Sequence, residues 1–364
     1  MHTVAIDARK YFDYGIGTYI QQLISHLSQL ESSWNFHAYV SPGDAHRMKL
    51  PPSWHQSVVP YGKYSVGEVL FLGRKSKKDG AAIFHSPHYT LPLGLGARSV
   101  VTIHDLIPLR FPEYFNALQR SYAHLMMSHA VKRAGCVLVD SEFTKEDILV
   151  QFRINERRIV VAHLGVTDEF RPVKSRQKIA TLRKKFDLPG PFILFVGNIK
   201  PHKGIAVLFK ALALLKHTDI DLVFVGEKPL QNAALLAAAN ELHIEKRIHQ
   251  IGRLSQGELV LAYNAAEVLA MPSLYEGFGL PVLEAMGCGT PVVASDAGSL
   301  PEIAGNAALV VPRNNPGALA EALEVVLRNS RIRKQLVEKG KQNVLRFSWR
   351  KTAEKTLEVY RKLI

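Results

Sequence analysis

Two glutamates with seven residues between them bracket a pair of glycines in the segment Pro272-Ser273-Leu274-Tyr275-Glu276-Gly277-Phe278-Gly279-Leu280-Pro281-Val282-Leu283-Glu284. Glycine permits backbone shapes and close approaches that a Cβ forbids. Proline suits the first turn of a helix, where its missing N–H costs nothing. A helix starting at about Pro281 would therefore aim loop N–H groups and its dipole at one point, an anion site suited to a diphosphate. Glu276 stands ahead of that cradle and Glu284 behind it. Carboxylates accept hydrogen bonds from hydroxyls, so Glu276 can hold a sugar and Glu284 a ribose on either side of a nucleotide-sugar diphosphate.

Other residues could join this chemistry. Gly15-Ile16-Gly17 offers a second flexible approach to phosphate between a strand and a helix, but Ile20 stands where a dinucleotide fingerprint needs glycine. Lys203, after Gly197-Asn198-Ile199-Lys200-Pro201-His202, can neutralise a departing diphosphate, with Lys200 as a weaker candidate. His104 ends a strand and precedes Asp105. His85-Ser86-Pro87-His88 also follows a strand and is placed on the acceptor side. The three histidines lie on different segments without recognised ligand spacing, so no metal site is expected. Asp219-Ile220-Asp221 matches an Asp-x-Asp metal motif, but it precedes a strand and reads as a solvated loop. No Ser-His-Asp or Cys-His nucleophile stands out.

The elements that must position these residues alternate between short β-branched runs and longer amphipathic ones, the pattern of α/β layers with parallel sheets. Strands are predicted at Thr3–Asp7, Phe36–Val40, Ala82–His85, Ser99–His104 and Cys136–Asp140. Further strands are predicted at Phe192–Gly197, Leu222–Gly226, Ile248–Ile251, Val268–Met271 and Pro291–Ala294. Helices are predicted at Thr18–Leu30, at Gly204–Lys216, after an N-cap at Ser141, and at Trp349–Leu363 after Ser348. The basic stretch Phe170–Pro191, with three prolines, reads as an interdomain link. The expected organisation is residues 1–172 as one Rossmann-like, doubly wound domain, residues 173–346 as a second, and residues 347–364 as a helix returning to the first. Ligands of such sheets bind beyond the strand C-termini.

The chain has 364 residues, 47% apolar and 21% charged, with net charge +14. The positive excess is spread over both halves, with clusters at Arg74-Lys75-Ser76-Lys77-Lys78 and between Arg171 and Lys185. It suits phosphorylated small molecules or an anionic membrane surface. No basic stripe interleaved with aromatics or nucleic-acid motif is present, so nucleic acid is not expected as a partner. No apolar run approaches the ~18–20 residues that span a bilayer. The polar start of the chain and two distant cysteines, Cys136 and Cys288, lead to a cytoplasmic expectation.

The Glu276–Glu284 segment resembles the Glu-x7-Glu motif of retaining glycosyltransferases of family 4, which have the GT-B fold of two Rossmann-like domains facing across a cleft. The resemblance extends to Ile6-Asp7-Ala8-Arg9 with Gly15-Ile16-Gly17-Thr18-Tyr19, to Thr102-Ile103-His104-Asp105, to Phe195-Val196-Gly197-Asn198 through Lys203-Gly204, and to Ala294-Ser295 with Gly298-Ser299-Leu300-Pro301-Glu302. It implies donor contacts from Gly15, Gly17, Asn198, Lys203, Glu276, Gly277, Phe278, Gly279, Leu280 and Glu284, with Arg253 near the base. It implies catalytic roles for His104, Glu276 and Lys203, and an acceptor side at His85, His88 and Asp105. Family members often carry an arginine where this chain has Asn198, which shifts charge onto Lys200 or Lys203. The implied reaction is retaining hexosyl transfer without metal or cofactor, the nucleotide sugar being a co-substrate. A front-face attack is implied, with the donor phosphate taking the acceptor's proton. Likeness to bacterial mannosyl- and rhamnosyl-type enzymes points to GDP-mannose, a glycan or lipid-linked acceptor, polysaccharide biosynthesis and peripheral contact with anionic membrane at Arg74–Lys78. The alternatives are a sugar-nucleotide epimerase or glycan phosphorylase on the same fold, or a basic nucleic-acid binder.

Overall fold

A computed structural model describes residues 2–188, 190–215 and 219–364. The chain forms two compact units, Met1–Gly165 with Ser348–Ile364, and Val166–Phe347. Among the described residues no helix is long and apolar enough to cross a membrane.

The first unit is built on β1 (Thr3–Asp7), β2 (Asn35–Val40), β3 (Trp54–Val58), β4 (Ile83–Ser86), β5 (Ser99–Ile103), β6 (Cys136–Val139) and β7 (Ile159–Val161). Its helices include α1 (Tyr14–Leu30), α2 (Val66–Lys78), α3 (Ile107–Arg110), α4 (Ala117–Arg133) and α5 (Glu142–Phe152). The strands are all parallel in the order β3-β2-β1-β4-β5-β6-β7. This is a doubly wound sheet whose order reverses between β1 and β4. Helix α1 buries Tyr19, Ile20, Leu23, Ile24 and Leu27, a stripe at helical spacing. It starts at Tyr14, so Gly15 and Gly17 lie in its first turn and not in a loop ahead of it. Ser141 is the N-cap of α5, accepting from the Thr144 amide.

The second unit repeats the plan with β8 (Phe192–Gly197), β9 (Asp221–Gly226), β10 (Ile248–Gly252), β11 (Val268–Met271), β12 (Val292–Ser295) and β13 (Leu309–Val311). Its helices include α6 (Arg176–Lys185), α7 (Ile205–Leu214), α8 (Ala233–Glu241), α9 (Gln256–Ala265), α10 (Leu280–Cys288), α11 (Leu300–Ala304), α12 (Pro316–Arg328) and α13 (Ser330–Val344). The parallel order is β10-β9-β8-β11-β12-β13, reversing between β8 and β11. Side chains alternate between the faces of a strand. Accordingly Ile193 and Phe195 join one core with Leu222, Phe224 and Val268, whereas Phe192 and Leu194 join another with Val223, Leu269 and Met271. Burial on both faces explains why these strands read as continuous apolar runs.

The expected interdomain link carries α6, which buries Leu182 in the second unit's core together with Phe170. Basic residues conceal this helix because they stay on its solvent side. Pro189 of that stretch and Lys216, the expected end of α7, lie outside the described residues. Asp221 opens β9 at its N-terminal end and accepts a hydrogen bond from His249 Nε2 at 2.8 Å.

The last helix, α14 (Trp349–Leu363), packs on α1 of the first unit. Its Thr352 hydroxyl donates to the His163 carbonyl at 2.6 Å, and Arg361 pairs with Glu31 at 3.0 Å. A Cβ on Gly165 would come within 2.0 Å of the Trp349 nitrogen, so glycine admits the start of α14 there.

Candidate functional site

In the second unit the loops after β8 and β11, the strands flanking the order reversal, lie against each other. The Leu274 amide donates to the His202 carbonyl at 2.6 Å. Gly204 has φ 68°, and a Cβ there would stand 2.0 Å from the Pro272 oxygen. This close approach brings together two of the expected residues: Lys203 Nζ donates to both Glu276 oxygens, at 2.7 and 3.0 Å. Ser273 Oγ adds a third bond, to Glu276 Oε1 at 2.6 Å. The Glu276 carbonyl is held in turn by the Ser299 amide at 3.1 Å. A Cβ on Gly298 would be 2.3 Å from that oxygen. Glu276 is thus buried, aimed and charge-paired before any substrate arrives.

Helix α10 begins immediately beyond. Its N-cap is Gly279, with φ 104°, and no side chain caps it. The helix starts at Leu280, one residue before the expected Pro281, and its first turn carries no acidic side chain of its own against the positive end of its dipole. Phe278 is buried edge-on to Phe347, and its carbonyl accepts from Ser299 Oγ at 2.8 Å. Glu284 follows one turn into α10. The Tyr263 hydroxyl donates to it at 2.7 Å, and burial pushes its carboxyl up to about 7 despite that bond. A group balanced near neutrality in this way can accept from a hydroxyl when ionised.

Arg253 is exposed after β10 and lines a cavity of about 630 Å³ with Ile199, Gly226, Glu227, Asn232 and Gly252. The cavity lies at the C-terminal ends of β9 and β10, where sheets of this kind receive ligands. Asn198 is half-buried, its Oδ1 taking the Lys200 amide at 3.4 Å, and Lys200 is exposed.

In the first unit the expected residues divide. His85 is 0% exposed and saturated: Nδ1 meets the Tyr360 hydroxyl at 2.6 Å and Nε2 meets Thr102 Oγ1 at 2.8 Å. Burial pushes its imidazole down to about 3. It is therefore a neutral internal strut between α14 and the sheet, and the expected acceptor contact is corrected. His88 is also buried, with Nε2 at 3.1 Å from the Tyr64 hydroxyl and Nδ1 without a partner. Burial, with the charges of Lys10 and His104, holds it well below the usual histidine range. His104 pairs through Nδ1 with Asp140 Oδ2 at 2.6 Å, while Nε2 is 3.2 Å from the Pro87 carbonyl. Asp105 turns back to accept the Ile107 amide at 2.9 Å. Gly15 is exposed with open space where a Cβ would stand, whereas Gly17 is buried against the Tyr11 carbonyl, 2.5 Å from a Cβ position. Gly17 is thus required by packing, and only Gly15 leaves room for a ligand.

Sequence reasoning passed over Ser273, Tyr263 and Asp140. Ser273 lies three residues before Glu276 within the motif, and Asp140 directly follows the strand adjacent to the one that His104 follows, so both had local signals. Tyr263 sits on α9, and nothing near Glu284 in sequence points to it.

The chain belongs to the glycosyltransferases of group 1 and family 4. The family model described as "Glycosyl transferases group 1" matches residues 178–343, and "Glycosyltransferase Family 4" matches residues 14–170. The chain is 30% identical over 284 residues to O-antigen chain mannosyltransferase B of Escherichia coli, covering 77% of this chain and 74% of that protein. It is 27% identical to the serotype-specific mannosyltransferase WbdA of Escherichia coli over 77% of this chain, spanning only 36% of that longer protein. Among solved structures, sucrose-phosphate synthase of Thermosynechococcus elongatus superposes with TM-score 0.82 at 22% identity, over 100% of this chain and 99% of that one. The fold is therefore GT-B and the protein is a glycosyltransferase.

Proposed function

We propose that this enzyme moves a mannosyl residue from GDP-mannose to a glycan or lipid-linked glycan, with retention and without metal or cofactor, in polysaccharide biosynthesis. One observation carries the donor assignment: Lys203, Glu276 and the uncapped start of α10 converge at the order reversal of the second unit. The mannosyl relatives support the choice of sugar.

In this reading Glu276 orients the sugar, Glu284 holds the ribose, and the base enters the cavity beside Arg253. Gly277, Phe278 and Gly279 supply backbone and Leu280 the first helical N–H, against the phosphates. An acceptor hydroxyl forms the new C–O bond at the anomeric carbon as the bond to the diphosphate breaks. The leaving phosphate oxygen takes the hydroxyl proton. Lys203 and the helix dipole stabilise the charge that develops there, the kind of preorganised electrostatics that dominates such catalysis. The acceptor is held at the strand ends of the first unit, by His88, His104 and Asp105.

Contact with an anionic membrane is proposed at α2. Its exposed face carries Val66, Leu70 and Phe71, then Arg74, Lys77 and Lys78. Lys75 does not contribute, because Asp79 binds it at 2.6 Å, and Ser76 is buried.

The test is a calorimetric screen of GDP-, UDP- and ADP-sugars with chelator present, followed by transfer assays. GDP-mannose should bind and turn over under those conditions. Absolute dependence on added divalent metal, or selective binding of another nucleotide sugar, would refute the respective part.

A further inference from the structure

We propose that Asp140 is a positioning residue that keeps His104 doubly protonated, so that the acceptor end of the first unit presents a cation and not a base. Ile103 of β5 lies beside Val139 of β6, so the next residues, His104 and Asp140, emerge together where the two strands end. Their side chains are 15% and 3% exposed, and Nδ1 is 2.6 Å from Oδ2. The other ring nitrogen, Nε2, faces the Pro87 carbonyl at 3.2 Å.

Both partners are acceptors. A carbonyl has no proton to give, and an ionised carboxylate has none either. A neutral imidazole carries one N–H and one lone pair, so it would set a lone pair against an oxygen at one of these contacts. Two N–H groups satisfy both. The doubly protonated ring has no free lone pair, so it cannot take the proton from an attacking hydroxyl. It can place positive charge beside bound substrate.

The surroundings agree. Burial alone would favour neutral His104, but the charge and hydrogen bond of Asp140, with Asp105 and the Pro87 carbonyl, outweigh it and raise its affinity for protons. The other groups close by are the edge-on ring of Tyr19, 5.1 Å between centroids, and His85 and His88, both held neutral. Asp140 is 2% exposed, and its Oδ1 accepts no hydrogen bond. A buried carboxylate left half-satisfied is costly unless a cation lies against it, and His104 is that cation.

The inference rests on the proposed acceptor role of His104, and the experiment separates the two. The full chain, with 15N-labelled histidine, is titrated by long-range 1H–15N correlation in wild type, Asp140→Asn and Asp140→Glu. Both ring nitrogens of wild-type His104 should be protonated at pH 7. Asp140→Asn should lower the midpoint by about one pH unit or more, and Asp140→Glu should restore much of the difference. A singly protonated ring in wild type at pH 7, or an unmoved midpoint in Asp140→Asn, would overturn the proposal. In parallel, the alkaline limb of kcat should move to lower pH in Asp140→Asn while the donor KM stays in place. A shifted midpoint with transfer rates unchanged at every pH, in both Asp140→Asn and His104→Ala, would instead overturn the acceptor role of His104.

Discussion

Apart from β7, which the first unit adds at one edge, the same strand order occurs in both units, yet the two places where it reverses are furnished in opposite ways. Between β8 and β11, glycines bring two loops together, one lysine and one glutamate are paired at the end, and the helix beyond is uncapped. Between β1 and β4, the protein occupies the position itself. Arg9 is bound by Asp7 at 2.6 Å and Glu68 at 3.0 Å, and it also donates to the Tyr61 and Gly62 carbonyls. Lys10 lies 3.7 Å over the Tyr64 ring, and Lys63 holds Asp13, the N-cap of α1, at 2.6 Å. Topology supplies the crevice, and local sequence decides whether it receives a ligand or is filled from within.

That contrast yields graded expectations. Arg9→Ala should have the largest effect, because it leaves two buried carboxylates without their cation. Denaturant unfolding should show a loss of about 3–5 kcal/mol. A loss below about 1 kcal/mol would mean the first crevice is not held together by its own charges. Lys203→Ala should lower kcat by roughly 10²–10³-fold, the usual effect of removing one preorganised charge-stabilising group. An unchanged kcat would remove the lysine from the reaction.

A smaller effect concerns pH. Burial raises the Glu284 carboxyl to about 7 in the folded protein, above its ordinary value of 4.5. The folded state therefore holds this proton more tightly than the unfolded state, and its contribution to stability is lost as pH rises through about 7. Glu284→Gln removes that loss. Its stability relative to wild type should grow by about 1–2 kcal/mol between pH 5 and pH 8. A pH-independent difference would contradict the assignment. Least of all, Lys77→Glu should weaken binding to anionic vesicles by about 1 kcal/mol or somewhat more, with neutral vesicles unaffected. Equal weakening on both would count against the α2 surface.

Much of this layout was legible from local pattern. Thr3–Asp7, Phe192–Gly197, Val268–Met271 and Trp349–Leu363 are bounded as their sequences indicate, since buried parallel strands and a one-faced helix leave strong periodic signals. The edges were not. Trp54–Val58 is exposed at most of its positions, and Leu309–Val311 is three residues long, so neither shows the apolar run of a central strand. The Glu276 motif was readable because its parts are contiguous. The bonds that tune it are less so: Tyr263 reaches Glu284 from another helix, and Tyr360 engages His85 across 275 positions of chain. His85 misled for that reason, because a strand-end histidine looks the same in sequence whether it meets solvent or a distant tyrosine.

The central claim is that the second unit's crevice binds the donor through its diphosphate and sugar. Calorimetric titration of GDP and GDP-mannose into the full chain, with chelator present, tests it most directly. Lys203→Ala should weaken both ligands by about tenfold or more, equivalent to about 1.4 kcal/mol. Glu276→Gln should spare GDP and weaken GDP-mannose alone. Wild-type affinity for both ligands in both variants would contradict the account.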